Sequence, residues 1–275
     1  MTAADRGALH GADPSPVRVD GKGPAVLALH GYGGTAFEVR LVVEVAEELG
    51  LAAYAPLLPG HGTHATDLAR TRFPDWLGGA ESALDSLLGG AGRAVVVGLS
   101  LGSLIAAHLA ASRTEVCAIG MLANATRLFF PFPDLALRLV DRLGLADFSV
   151  PKVGSDIADA EARATHPGYG LQPIRGAVEV LRAGERTEKL LPDVHVPAFI
   201  AHGAHDHVCP VANAERVARL LGSRDKTVLI LPRSQHIVTR DLDRDLLRRE
   251  LKAFLERVAL RDSLDHSPHG TLSTG

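Results

Sequence analysis

Aromatic side chains are scarce in this 275-residue chain, 4% in all, with a single tryptophan, Trp76, and two methionines. A core built without them has to rest on alanine, valine and leucine, and a hydrophobic content of 46% is ample for that. Cysteine is scarcer still. Cys117 and Cys209 are too few for a disulfide framework, which fits a reducing, cytoplasmic compartment. No apolar stretch is long enough to span a membrane, and Met1–Pro16 lacks the apolar centre of a signal peptide. The formal net charge is only −3 and the basic residues are scattered, so there is no footprint for nucleic acid or an anionic membrane. What remains is an ordinary globular composition with room for one large domain or two smaller ones.

What the chain does have is alternation. Val17–Asp20 and Ala25–Leu29 read as strands, Ala36–Leu49 as a helix stopped by Gly50, and Leu51–Pro56 as a strand. A helix follows from Pro74 to Gly89, then strands at Val95–Leu99 and Val116–Leu122 on either side of the alanine-rich helix Leu104–Ala111. The pattern resumes with a strand at Val196–Ala201, a helix at Val211–Leu221, a strand at Thr227–Leu231 and a closing helix from Thr239 to about Leu260. Strands alternating with helices imply an α/β fold with a mostly parallel sheet covered on both faces. Between Asn124 and Leu190 the alternation breaks, and that segment reads as an insertion. The fold is thus expected over 17–260, with 1–16 as an N-terminal extension and 261–275 as a flexible tail.

Gly98-Leu99-Ser100-Leu101-Gly102 sits where the β-branched strand passes into the alanine-rich helix. A chain that reverses this sharply crowds the positions two residues either side of the serine, which is where the glycines fall. Strand, Gly-x-Ser-x-Gly, helix is the context of a nucleophile elbow. Such a turn is expected to lift Ser100 Oγ clear of the backbone and to leave the Leu101 N–H at a helix N-terminus, facing any oxyanion. A serine hydroxyl needs a base, and the base needs an acid to orient it. Both are sought on loops after later strands, because sites in parallel sheets gather beyond the strand carboxyl ends. Asp206 is the acid in the loop after Val196–Ala201, and His236 is the histidine in the loop after Thr227–Leu231. Ser100, Asp206 and His236 make a candidate catalytic triad.

The other histidines have plainer readings. His30 is expected to shape its loop by a hydrogen bond, and His61 and His64 to sit solvated in a polar loop. His202, His205 and His207 around Asp206 have the density of a zinc site. They lack one histidine of the familiar spacing, since Ala204 stands there, and no partner ligands follow, so no metal is expected. Cys209 reads as a small buried hydrophobe, and Asp156, Asp159 and Glu161 as a solvated acidic turn.

With these residues in hand, the chain resembles the α/β-hydrolase superfamily, and within it the bacterial carboxylesterases and monoacylglycerol lipases. His30-Gly31-Tyr32-Gly33-Gly34 is similar to the family's oxyanion loop and Leu58-Pro59-Gly60-His61-Gly62 to its Gly-His-Gly loop. Asp75-Trp76, the elbow, the Asp206 loop and Ser234–Thr239 also fit, so the likeness runs from about 20 to 260 and is weakest across the insertion. One departure is Gln235, where the family usually has glycine. The resemblance implies an oxyanion hole made by the backbone N–H groups of Tyr32 and Leu101. It also implies a helical cap over the elbow at about 124–190, in which Phe129, Phe130, Phe132, Leu135 and Leu139 either line an acyl pocket or simply pack the cap down. The implied activity is hydrolysis of short- to medium-chain acyl esters, with a small-molecule acyl ester as partner and no cofactor. A thioesterase, acyltransferase, lactonase or carbon–carbon hydrolase on the same fold, or a ligand-binding member with little turnover, stay open.

Overall fold

The computed structural model describes residues 7–89, 92–129, 142–144, 146–152 and 154–265. Its centre is a seven-stranded sheet whose strands are β2 (Val17–Val19), β3 (Lys22–Leu29), β4 (Leu51–Ala55), β5 (Ala94–Leu99), β6 (Val116–Leu122), β10 (Ala198–Gly203) and β11 (Lys226–Leu231). They lie in the order β11-β10-β6-β5-β3-β4-β2. Every pairing is parallel except that of β2 with β4. Strands β5 and β6 are buried at every position, as continuous apolar runs must be when helices cover both faces.

The period of two sorts the side chains into two cores. Leu27, Leu29, Val96, Ile119 and Ile200 face α3 (Phe73–Leu88) and α4 (Leu101–Ser112). Val26, Ala28, Val97, Ala118 and Phe199 face α1 (Arg40–Glu48) and α8 (Arg244–Asp265). Helix α8 carries Leu247, Leu251, Phe254 and Val258 on its buried side and runs past the expected end near Leu260. A strand expected at 196–201 lies two residues later, because His202 and Gly203 keep pairing with β11, and α7 (Ala212–Leu220) joins the two strands.

The polar loop after β4 runs straight into the short helix α2 (Ala65–Arg70), with the His64 ring accepting the Thr66 N–H as its cap. His61 is buried, not solvated. Its ring packs between those of His30, Tyr32 and Trp76, and burial pushes its pKa down to about 3.

The insertion forms two small antiparallel ribbons and two helices among its described residues. β7 (Ser149–Pro151) pairs with β9 (Leu171–Pro173), and β8 (Gly168–Tyr169) pairs with β1 (Leu9–His10) from the N-terminal segment. The described part of 1–16 is therefore stitched to the insertion. The insertion's helices are α5 (Ala160–Thr165) and α6 (Ile174–Leu190), and between α6 and β10 lies only a 3₁₀ turn at Leu191–Asp193.

The turn from β5 into α4 has no room for a side chain on either of its glycines. A methyl group on Gly98 would lie 2.0 Å from the Gly102 carbonyl, and one on Gly102 would lie 2.2 Å from the Leu29 oxygen of β3. By contrast, nothing lies within 4 Å of the corresponding position on Gly78 in α3. We expect Gly102→Ala to lower the free energy of unfolding in urea by about 2–4 kcal/mol, because backbone and not a flexible side chain must move. Gly78→Ala, as the paired control, should raise it by about 0.5–1 kcal/mol.

Candidate active site

Ser100 stands at φ 54° and ψ −114°, a strained conformation for a residue with a side chain. It is fastened on both sides. Its N–H donates to Leu122 O at 2.9 Å, and its carbonyl accepts from Ser103 N at 3.0 Å and Ser103 Oγ at 2.6 Å. Leu101 opens α4, so its N–H is one of the helix's unpaired first-turn donors by construction. Gly31 packs against Ser100, with only 3.3 Å between a methyl group placed there and Ser100 Cβ.

Asp206 and His236 meet across the ends of β10 and β11. A methyl group on Gly203 would lie 2.0 Å from Gln235 O, so glycine is what lets the two loops touch. His205 N–H then donates to Ser234 O at 3.0 Å. Asp206 Oδ2 is 2.8 Å from His236 Nδ1 and 3.0 Å from His202 Nε2, while Oδ1 accepts the Val208 and Cys209 N–H groups at 2.8 and 2.7 Å. Burial raises the Asp206 pKa, but the two histidines outweigh it and hold the carboxyl well below its usual range. Burial likewise disfavours a charged His236, and the Asp206 carboxylate overcomes that, so the imidazole pKa stands well above the ordinary 6.5. The Cys209 thiol also lies beside the ring, and burial pushes its own pKa up. The carboxylate is therefore the charge that acts on His236 at neutral pH.

Ser100 and His236 line one cavity of about 500 Å³. Its apolar wall includes Leu128, Phe129, Val150, Ile174, Ala177, Val180 and Val208. Of the aromatic and leucine residues expected there, Phe129 is a lining residue, anchored by its N–H to Val208 O at 2.8 Å. Phe130, Phe132, Leu135 and Leu139 lie outside the described residues. The contributions of Val150 and of α6 were not expected. The amphipathic pattern of Ile174–Leu181 marks a buried face but not what that face looks at.

His30 shapes its loop. Its Nε2 accepts the Leu58 N–H at 3.1 Å, which leaves Nδ1–H to donate to Gly31 O at 2.9 Å. Below the same loop sits Glu38, a residue with no functional mark in the sequence. Its Oε2 accepts the Gly31 N–H at 3.1 Å, and its carboxylate fills the space that a side chain on Gly34 would need. Burial raises the Glu38 pKa, but His166 above all, then His30 and Lys152, oppose it and bring the value down to about 2. The Tyr32 hydroxyl donates to Pro173 O at 2.8 Å, and its ring abuts Gly176 of α6, tying the Gly31–Gly34 loop to the insertion.

The acidic turn read as solvated is a clamp. Asp156 Oδ2 accepts the His207 N–H at 2.9 Å and the His236 N–H at 3.2 Å, its Oδ1 lies 2.8 Å from His207 Nδ1, and its carbonyl accepts the Ile237 N–H at 3.1 Å. Asp159 caps α5 through the Glu161 and Ala162 N–H groups and pairs with Arg244. The histidines whose density suits a zinc site pair with carboxylates, His202 with Asp206 and His207 with Asp156. Among the described residues the donor atoms brought within 4.8 Å of one another are instead those of Asp206, Cys209 and His236. Gln235 is accommodated without a glycine's freedom, since Ser100 and Ala123 are the described non-glycine residues with positive φ. Its N–H donates to Asp241 Oδ2 at 2.7 Å.

Residues 22–243 match the family model described as "Serine aminopeptidase, S33". This chain belongs to that family of α/β-hydrolases. The hydrolase is 29% identical over 252 residues to the thermostable monoacylglycerol lipase of Bacillus sp. strain H-257, covering 91% of this chain and 97% of that one. It is 23% identical to a carboxylesterase of Bacillus subtilis strain 168, over 89% and 97% of the two chains. A solved structure described under the metagenome-derived lipolytic enzymes LipS and LipT superposes with a TM-score of 0.82 at 27% identity, covering 89% of this chain and 98% of the other.

We expect Asp156→Ala to loosen the His236 loop by removing the carboxylate contacts to His207 and the His236 N–H, while the Ile237 N–H bond to the main chain of residue 156, the Asp241 bridge and Asp206–His236 stay in place. The outcome should be a fall in kcat of about 10–100-fold with a smaller change in KM, measured at saturating ester. Wild-type kcat would make the clamp irrelevant to the site.

Proposed function

We propose that this hydrolase is a serine carboxylic-ester hydrolase of carboxylesterase or monoacylglycerol lipase type, acting on short- to medium-chain acyl esters. The observation that carries the reading is the buried Asp206–His236 pair opening onto the same cavity as the strained Ser100. The names of the two Bacillus relatives point the same way.

In this mechanism neutral His236 takes the proton of Ser100 as Oγ attacks the ester carbonyl. Asp206 holds the imidazole through Nδ1 and stabilises its charged form, leaving Nε2 for the serine and then for the leaving alcohol. The backbone N–H groups of Tyr32 and Leu101 receive the oxyanion, where one such donor contributes about 3–4 kcal/mol to the transition state. Water, activated by the same imidazole, then cleaves the acyl-enzyme. The acyl chain lies along the apolar wall that Phe129, Ile174 and Val180 share. No step calls on a metal or an organic cofactor.

No helix among the described residues is long and apolar enough to cross a membrane. The two cysteines are free and buried, which supports a cytoplasmic setting as part of this proposal.

Hydrolysis of p-nitrophenyl esters from acetate to palmitate should peak at short to medium length in the wild type and fall about ten-thousand-fold or more in Ser100→Ala. Full activity in that variant would overturn the reading. The base must be neutral to work, and its pKa is raised, so kcat/KM should climb with pH through a midpoint above the ordinary 6.5. In Asp206→Asn burial is left unopposed. The residual activity should then titrate with a lower midpoint, and a flat profile between about pH 5 and 8 would exclude His236 as the base.

A further inference from the structure

Next to the reaction cavity lies a second one of about 260 Å³, lined by His10, Lys152, Arg163 and His166 together with Tyr169 and main chain of the cap. These basic groups come from three places, β1, the end of β7, and α5 with its following turn. No carboxylate lines this chamber among the described residues. Lys152, Gly154 and Ser155 line the reaction cavity as well. The lysine therefore stands in the wall that separates Ser100 from the basic chamber.

Lys152 has little to answer its charge. The carboxylate acting on it is that of Glu38, whose Oε2 accepts the Gly31 N–H at 3.1 Å while Oε1 faces His166 Nε2 at 3.4 Å, too poorly aligned for a hydrogen bond. His166 turns its other nitrogen to Ser155 Oγ at 2.8 Å. Burial works against the ammonium while Glu38 works for it, and the net effect is a lowered pKa. A second anion placed beside Nζ would strengthen a charge that is only partly compensated, in surroundings where such hydrogen bonds are strong.

We propose that the basic chamber is an anion subsite of the same active site, receiving a carboxylate or phosphate borne by the substrate at the end remote from the ester bond. The hydrolase then prefers anionic esters to neutral ones of equal length, with Lys152 and Arg163 as the specificity-determining residues. This rests on the ester-hydrolase reading and specifies its substrate class.

The test compares kcat/KM for two matched pairs in the wild type, Lys152→Gln and Arg163→Gln. One pair is p-nitrophenyl hydrogen glutarate against p-nitrophenyl valerate, which reads a carboxylate. The other is lauroyl lysophosphatidic acid against monolauroylglycerol, which reads a phosphate. The anionic-to-neutral ratio should fall about tenfold in Lys152→Gln, carried by KM, in the arm whose anion the chamber takes. An unchanged ratio in both arms overturns the proposal. So does an equal loss on anionic and neutral esters, which makes Lys152 the counter-ion of Glu38 alone. If the wild type cleaves none of the four, the ester reading has failed by itself, and equilibrium binding of glutarate and inorganic phosphate to Ser100→Ala decides the subsite. Saturable binding that Lys152→Gln weakens about tenfold supports it, and no saturable binding of either anion sinks it.

Discussion

Three backbones converge at the turn from β5 into α4, and the rest of the active site depends on how closely they approach. Gly98 lies against Gly102, and Gly102 lies against the carbonyl of Leu29 at the end of β3. With a side chain at either position the helix would have to stand off from the sheet. Ser100 would then lose both its strained presentation and its hydrogen bond to Leu122 O. The strain at Ser100 persists because β3, β5 and β6 around it are buried on both faces and have nowhere to relax.

Around this rigid centre the loops are organised by carboxylates that accept backbone N–H groups. Glu38 holds Gly31, and Asp206 holds Val208 and Cys209. Asp156 holds His207 and His236. Asp241 takes the N–H groups of Ala158, Asp159 and Gln235, and Asp243 takes that of Arg233. Loops at the strand ends carry N–H donors that no ladder satisfies, and a buried donor without a partner is costly. A charged acceptor answers two or three of them at once and at shorter range than a neutral one. The device also crosses between segments remote in sequence, so that the insertion and the His236 loop are held as one unit.

Legibility followed the range of the physics. Alternating apolar runs and the Gly98–Gly102 spacing are local signals, and they placed the sheet and the tight turn near where the structure has them, with Asp206 and His236 on the loops that follow β10 and β11. Residues whose roles come from distant partners were misread. His61 looked solvated because its loop is polar, yet the rings of His30, Tyr32 and Trp76 enclose it. Asp156 looked like surface, and nothing in the sequence marks Glu38 at all.

The sequence by itself determined the fold class, the site of the elbow and the candidate acid and base, because strand and helix periodicity and a crowded turn constrain neighbouring residues directly. Only the tertiary structure decided which acids bind main chain, which cap residues face Ser100, and that Lys152 stands between two cavities. Burial and partners separated by dozens of residues set those roles. Neither is written in the few positions on either side of a side chain.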